Sequence, residues 1–291
     1  MRRSVHAVAL LGVLALLALL ATRGDVHPVE LPFEATASTM PSPAHVVIVV
    51  EENHSNTGVV GNKSAPYINW LAANGALMTQ SYAVSHPSEP NYLALFAGST
   101  FELASDACPV NAGAAPNLGS ELLAAGYTFA GFSEDLPSVG ATSCSSGKYA
   151  RKHAPWVNFT NVPPANSVPF TNFNARSDYA SLPTVSFVIP NLDNDMHDGT
   201  VAAADNWLSG NLSAYANWAK ANNSLLIVTW DEDDNGANNQ IATIFYGANV
   251  ATGTYSQPVS HYNVLSTLEQ MYGLNKTGLA ANAPAISDIW S

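Results

Sequence analysis

Three short stretches of this sequence set carboxylates, amides and imidazoles directly behind runs of aliphatic residues. Glu51, Glu52, Asn53 and His54 follow Val46 to Val50. Asp193, Asn194, Asp195, His197 and Asp198 follow "TVSFVIP" at 184–190, and Asp231, Glu232, Asp233 and Asp234 follow "LLIVTW" at 225–230. Any one of these clusters reads as an acidic turn. Brought together they would repel one another, and a buried, unpaired carboxylate costs several kcal/mol. A divalent cation removes that conflict. Oxygen and imidazole donors without cysteine suit Mg²⁺, Mn²⁺, Ca²⁺ or Zn²⁺. "DEDDNG" lacks the full spacing of an EF-hand loop, so that motif is set aside.

A nucleophile is available in "SHPSEPNYLALFAG", residues 85–98. Ser88 stands just upstream of a short helix expected over 89–97, where free N–H groups can hold an anion. The same position suits a plain N-cap, with Pro90 just inside the helix. Beside it, His86 is an orienting group or an acid, or simply part of the loop.

The elements that must position these residues alternate. Val46 to Val50 reads as a strand buried on both faces. "APYINWLAANG" is a helix with Gly75 as its C-cap, and "EPNYLALFAG" a short helix closed by Gly98. "NLGSELLAAG" is a helix feeding the strand "YTFAGF". Strands at 184–190, 225–230 and "IATIFYG" follow, with a long helix before 225 and an amphipathic one in "SHYNVLSTLEQMYG". This pattern predicts an α/β fold with a mostly parallel central sheet flanked by helices. In such sheets a site lies beyond the carboxyl ends of the strands, so all three acidic clusters open on one edge. Residues 135–180, rich in Pro, Ser and Asn, form a long excursion from that core.

The amino terminus has Arg2, Arg3 and an apolar run from Ala7 to Ala21, the pattern of a signal peptide and short for a membrane span. We divide the chain into a leader at 1–24, a Pro-rich linker at 25–44 and a catalytic domain at 45–291. A secreted or cell-envelope protein without a stable membrane span after cleavage is the expectation. The net charge of −12 offers no basic field for nucleic acid. Cys108 and Cys144 are the two cysteines. In an exported chain an even count favours a disulfide, and their wide spacing sets aside a redox pair or metal thiolates. Seven Lys and Arg lie beyond residue 37, and three of them, Lys148, Arg151 and Lys152, sit beside His153 in "GKYARKHAPW". That patch is a solvated lid or the receiver of a phosphate or an anionic lipid headgroup.

"ENHS", "HPSEPNYLALFAGST", "NDMHDGT" and "TWDEDD" together resemble the phosphoesterase family that holds bacterial and fungal acid phosphatases and bacterial phospholipases C. The resemblance covers about residues 45–291. It implies an alkaline-phosphatase-like fold and hydrolysis of phosphate esters, phosphoinositide headgroups among them. By that resemblance Glu52 and Asn53, with Asp231 and Glu232, hold a divalent metal ion around the hydroxyl of Ser88. The Asp-Glu pair departs from the Asp-Asp of some relatives, which puts Glu232 in doubt. The family's active-site histidines match His197 best, and more weakly His86 as a catalytic group and His261 as a substrate-binding one. The leading expectation is a phosphomonoesterase. A phosphodiesterase of phospholipase C type uses the same groups, and a non-catalytic cation-binding surface protein would need the acidic loops but not Ser88.

Overall fold

A computed structural model describes residues 40–174, 176 and 178–291. The leader at 1–24 and residues 25–39 of the linker lie outside the described residues. The elements run β1 (His45–Glu51), α1 (Asn56–Val59), α2 (Pro66–Asn74), β2 (Ala76–Tyr82), α3 (Ser88–Ala97), α4 (Leu118–Ala124), β3 (Phe129–Ser133), β4 (Ser145–Ser146) and β5 (Tyr149–Ala150). They continue β6 (Ser167–Pro169), α5 (Thr171–Asn174), β7 (Val185–Ile189), α6 (Val201–Ala221), β8 (Ser224–Trp230), β9 (Gln240–Gly247), β10 (Gly253–Tyr255), β11 (Val259–Ser260) and α7 (His261–Met271).

Nine strands form one sheet in the order β10-β2-β9-β8-β1-β7-β3-β6, with β11 also beside β2. Only β9 runs against its neighbours; the other pairings in this sheet are parallel. Strand β1 lies at its centre, and the period of two explains its unbroken aliphatic run. Val46, Ile48 and Val50 pack in one hydrophobic layer with residues of α3, α4 and α7. Val47 and Val49 pack in the other with residues of α2 and α6. Each such side chain, fully buried, contributes about 1.5–3 kcal/mol.

The long helix α6 starts at an N-cap, Thr200, whose hydroxyl accepts from Ala203 N–H at 3.1 Å. It lays Ala204, Leu208, Leu212, Ala216 and Ala219 on the sheet, the spacing of a single helical face. The excursion at 135–180 holds the hairpin β4–β5 and the edge strand β6. It is pinned to the sheet by Trp156, which fits because residue 131 is glycine: a Cβ there would come within 2.1 Å of the indole.

Two local readings change. Gly98 ends α3 in the left-handed region (φ 67°), as expected, whereas Gly75 is extended (φ −116°). Gly75 is needed for close approach instead, since a Cβ would meet the Phe245 carbonyl at 2.3 Å. Strand β2 went unread because Ala76, Leu77 and Met78 are helix formers; antiparallel pairing to β9 makes it a strand.

Candidate active site

Strands β1 and β8 are parallel neighbours in register from His45↔Ser224 to Glu51↔Trp230. Glu52 and Asp231, each one residue past its strand, therefore emerge side by side. Main-chain bonds hold them there: Asp231 N–H donates to Glu51 O at 2.9 Å, and Glu52 N–H to Asp195 O, beyond β7, at 2.7 Å. Asn53 turns back with φ 42°, a left-handed conformation that Asn adopts more readily than most residues. Its N–H donates to Asp231 Oδ1 at 3.1 Å.

Helix α3 brings in the hydroxyl. Pro87 occupies its N-cap with no side-chain cap bond, so Ser88 is the first helical residue and not the cap. Buried at 1% exposure, Ser88 Oγ lies 3.2 Å from both Glu52 Oε2 and Glu232 Oε1, donating toward them. The Asn53 side-chain amide straddles the same two oxygens, at 3.2 and 3.1 Å. With its nitrogen inward, Asn53 donates to both. With its oxygen inward, it joins an all-oxygen cluster that only a cation satisfies.

Burial first, then repulsion from Asp231 and Asp195, pushes the Glu52 carboxyl well above its ordinary range. Burial and then Glu232 do the same to Asp231. Glu232 is raised by burial, with His86 opposing the rise. Asp231 Oδ2 is buried without a hydrogen-bond partner. The oxygen separations of 3.1–3.2 Å fall between the ~3.0 Å expected between neighbouring ligands of Mg²⁺ and the ~3.4 Å around Ca²⁺. Glu52, Asn53, Ser88 and Glu232 thus present oxygens at the spacing of a hard divalent ion's ligands, and Asp231, held by Asn53 N–H, adds a buried oxygen without a partner.

Charged groups line the rim. His86 Nδ1 pairs with Glu232 Oε2, and its Nε2 lies 3.4 Å from Asp233 Oδ1. Asp233 is fixed by the amides of Asn235, Ala237 and Asn239 at 2.7–2.9 Å. Opposite, Lys152 Nζ is 2.8 Å from Asp106 Oδ2 and 3.4 Å from His197 Nε2. His197 Nδ1 bonds Asp198 at 2.8 Å, which leaves Nε2 as the atom turned toward Lys152. Asp106 Oδ1 accepts from Glu89 N–H, at the start of α3, at 2.9 Å.

The fold therefore gathers Glu52, Asn53, Ser88, Asp231 and Glu232 in one place, with His86, Lys152 and His197 around it. Lys148 is farther out, paired with Asp193 at 2.7 Å and Asp198 at 3.1 Å. Two residues expected to bind substrate are placed otherwise. Arg151 is buried, the terminal nitrogens of its guanidinium donating to Thr142 O at 2.8 Å, Asn158 Oδ1 at 3.3 Å and Val157 O at 3.4 Å, so its charge is spent on the excursion's own loops. His261 is 1% exposed, and its Nε2 donates to Asp231 O at 2.7 Å. Burial lowers its pKa to about 4, so it braces the Asp231 main chain as a neutral ring.

Cys108 and Cys144 form a disulfide that ties the Asp106 loop to the start of the hairpin β4–β5, whose turn carries Lys148. Arg151→Ala should lower stability by about 2 kcal/mol, leaving three acceptors short of a donor, with KM unchanged. Lys152→Ala should raise KM for a phosphomonoester about tenfold with little change in Tm. Thermal unfolding and steady-state kinetics separate the two.

Sequence reasoning missed Tyr92 and named Asp195 and His153 only as members of an acidic cluster and a basic patch. Tyr92 donates its hydroxyl to Glu52 Oε1, His153 stacks on Tyr92 with ring centres 5.0 Å apart, and Asp195 lies behind both. His153 was read as one more basic-patch residue; the usable signal was its place before "APW", an apolar turn that buries it. The loop carrying Asp195 and His197 is tight: a Cβ on Gly199 would lie 1.8 Å from Asp193 O. Gly199→Ala must displace that loop, and kcat should fall about 10²-fold through misplacement of His197. Stability measurements would tell misplacement from unfolding.

Comparison with known proteins follows the same lines. The model of the family described as the phosphoesterase family matches residues 58–275. A phosphatidylinositol-3-phosphatase of Mycobacterium tuberculosis is 66% identical over 99% of this chain and 95% of that protein. A probable acid phosphatase of Kluyveromyces lactis is 29% identical over 94% of this chain and 73% of that one. Among solved structures, a protein in the alkaline phosphatase superfamily from Vibrio parahaemolyticus aligns with a TM-score of 0.56 at 15% identity, over 87% of this chain and 75% of that chain. That likeness is of fold, and it is the fold the sequence resemblance implied.

Proposed function

This chain belongs to the phosphoesterase family of hydrolases, and we propose on that premise that it hydrolyses phosphate monoesters through Ser88. The observation that carries the proposal is Ser88 Oγ, buried at the start of a helix and 3.2 Å from each of two carboxylates. A hydroxyl that served only as a cap would bond the helix amides instead.

Glu52, Asn53, Asp231 and Glu232 would hold a divalent cation, which would supply charge for the phosphoryl oxygens and favour the ionised hydroxyl. Ser88 Oγ passes its proton to the carboxylate beside it and attacks phosphorus as the ester P–O bond breaks. His197, oriented by Asp198, gives a proton from Nε2 to the departing alkoxide. The phosphoserine so formed is cleaved by water, whose proton returns to His197, while Ser88 Oγ leaves and takes back its proton from the carboxylate. Lys152 lies where it can neutralise the phosphoryl group, and the first amides of α3 add donors on the same side once Asp106 yields Glu89 N–H.

Phosphoinositide headgroups are the proposed substrate class. The named activity of the mycobacterial relative supports it, as does an open hollow beside His86 lined by Asn235, Gly236, Asn238 and Asn239, whose amides suit the hydroxyls of a polyol. Export is proposed from the Arg2–Ala21 leader pattern and the disulfide; amino-terminal sequencing of the protein recovered from culture medium tests it. Among the described residues no helix is long and apolar enough to cross a membrane.

The test of activity is phosphate release from an inositol phosphate monoester, an aryl phosphate and a choline phospholipid, with and without chelator. Monoester turnover supports the proposal. Diacylglycerol from the phospholipid with little monoester turnover would move the assignment to a phospholipase C-type phosphodiesterase, and turnover of none would leave a cation-binding protein.

A further inference from the structure

Behind the nucleophile, Glu52 turns its two oxygens to different neighbours. Oε2 faces Ser88 and Asn53. Oε1 faces Tyr92 and His153, whose Nε2 is 3.1 Å away. On the far side of the imidazole, Nδ1 lies 3.4 Å from Asp195 Oδ2. Glu52 and Asp195 are fully buried and His153 is 1% exposed. One ligand atom from each of the three lies within 4.8 Å of the others.

An imidazolium between two carboxylates would aim its N–H groups at them. Here neither contact has hydrogen-bond geometry, and His153 Nε2 and Asp195 Oδ2 are both buried without a partner. Two orphaned polar atoms within one buried Glu-His-Asp cluster call for an occupant. The nearby Lys152 ammonium does not fill the role, because Asp106 engages it at 2.8 Å.

We propose that a carboxylate oxygen of Glu52, an imidazole nitrogen of His153 and a carboxylate oxygen of Asp195 form a second divalent-cation seat, joined to the oxygen seat at Ser88 by the bridging carboxylate of Glu52. The donor chemistry of the two differs. One nitrogen and two carboxylate oxygens suit a borderline ion such as Zn²⁺ or Mn²⁺, whereas the Ser88 seat is all oxygen. The inference shares Glu52 with the proposed catalytic site and otherwise stands on separate residues.

Its test is the number of Mn²⁺ ions bound per full-length chain, with the electron paramagnetic resonance spectrum of the bound ions. Wild type is expected to bind two, with a spectrum coupled through Glu52 and a nitrogen hyperfine contribution. His153→Ala and the near-isosteric Asp195→Asn should each bind one, uncoupled, with the nitrogen contribution lost in His153→Ala. Asp195→Asn guards against a result caused by the cavity that His153→Ala leaves.

One ion in wild type, unchanged in number and spectrum by either variant, would overturn the second seat and leave the Ser88 seat standing. One ion lost in both variants would keep the His153 seat and overturn the other. No bound ion would overturn both. Phosphate release measured on the same samples is independent: two bound ions without turnover would sink the phosphatase assignment alone.

Discussion

Ser88→Ala is expected to lower kcat for a phosphomonoester by about 10⁵-fold, the scale of removing a nucleophile that acts as a unit with its partners. The fold should hardly register the change. Ser88 makes no helix-cap bond, alanine is the better helix former, and the bonds lost run to two carboxylates that already crowd each other. Tm should move by no more than about 3 °C. Near-wild-type kcat in this variant would remove Ser88 from the mechanism. A large fall in both kcat and Tm would make its role structural.

Stripping divalent cations is expected to cost about 10³-fold in kcat and to change how stability depends on pH. In the metal-free protein, burial raises Asp195 to about 7 from an ordinary value of 3.8, and Glu52, Asp231 and Glu232 shift the same way. A carboxyl raised in the folded state holds its proton there while the unfolded chain has lost it. Its contribution is full below the unfolded pKa and is lost as pH climbs through the folded one. Metal-free stability should therefore fall from about pH 4 to pH 7. Added Mn²⁺ binds the ionised carboxylates, so its Tm gain should be larger at pH 7 than at pH 5. A gain independent of pH would mean that these carboxylates are not ligands, and full activity in chelator would remove the cation from the mechanism.

How far the site was legible follows from where each residue sits in the chain. Glu52, Asn53, Asp231 and Glu232 could be read because they adjoin aliphatic strands, and parallel strands in register bring their carboxyl ends together. Ser88 was legible as a hydroxyl at a helix start, although whether it capped the helix was a matter of side-chain direction that spacing does not carry. Residues of the excursion were poorly legible. Arg151, Lys152 and His153 are consecutive in 3₁₀ geometry, so their side chains diverge: one into loop carbonyls, one to the rim, one beneath the site. Charge alone grouped all three. His261 matched the family's active-site histidines weakly and was expected to bind substrate, but α7 packs its first turn against the sheet, and the ring is buried with it. In the sheet, β1, β7 and β8 were plain from their β-branched runs, while β2 depended on a partner far along the chain.

The most direct test of hydrolysis through Ser88 is the stereochemical course at phosphorus, followed with a phosphorothioate monoester made chiral at phosphorus by two oxygen isotopes and cleaved in water carrying the third. Attack by Ser88 and then by water inverts the centre twice, so wild type should yield inorganic thiophosphate with net retention. Net inversion would mean that water attacks the ester directly, and that Ser88 only holds the substrate or the cation while another molecule does the displacement.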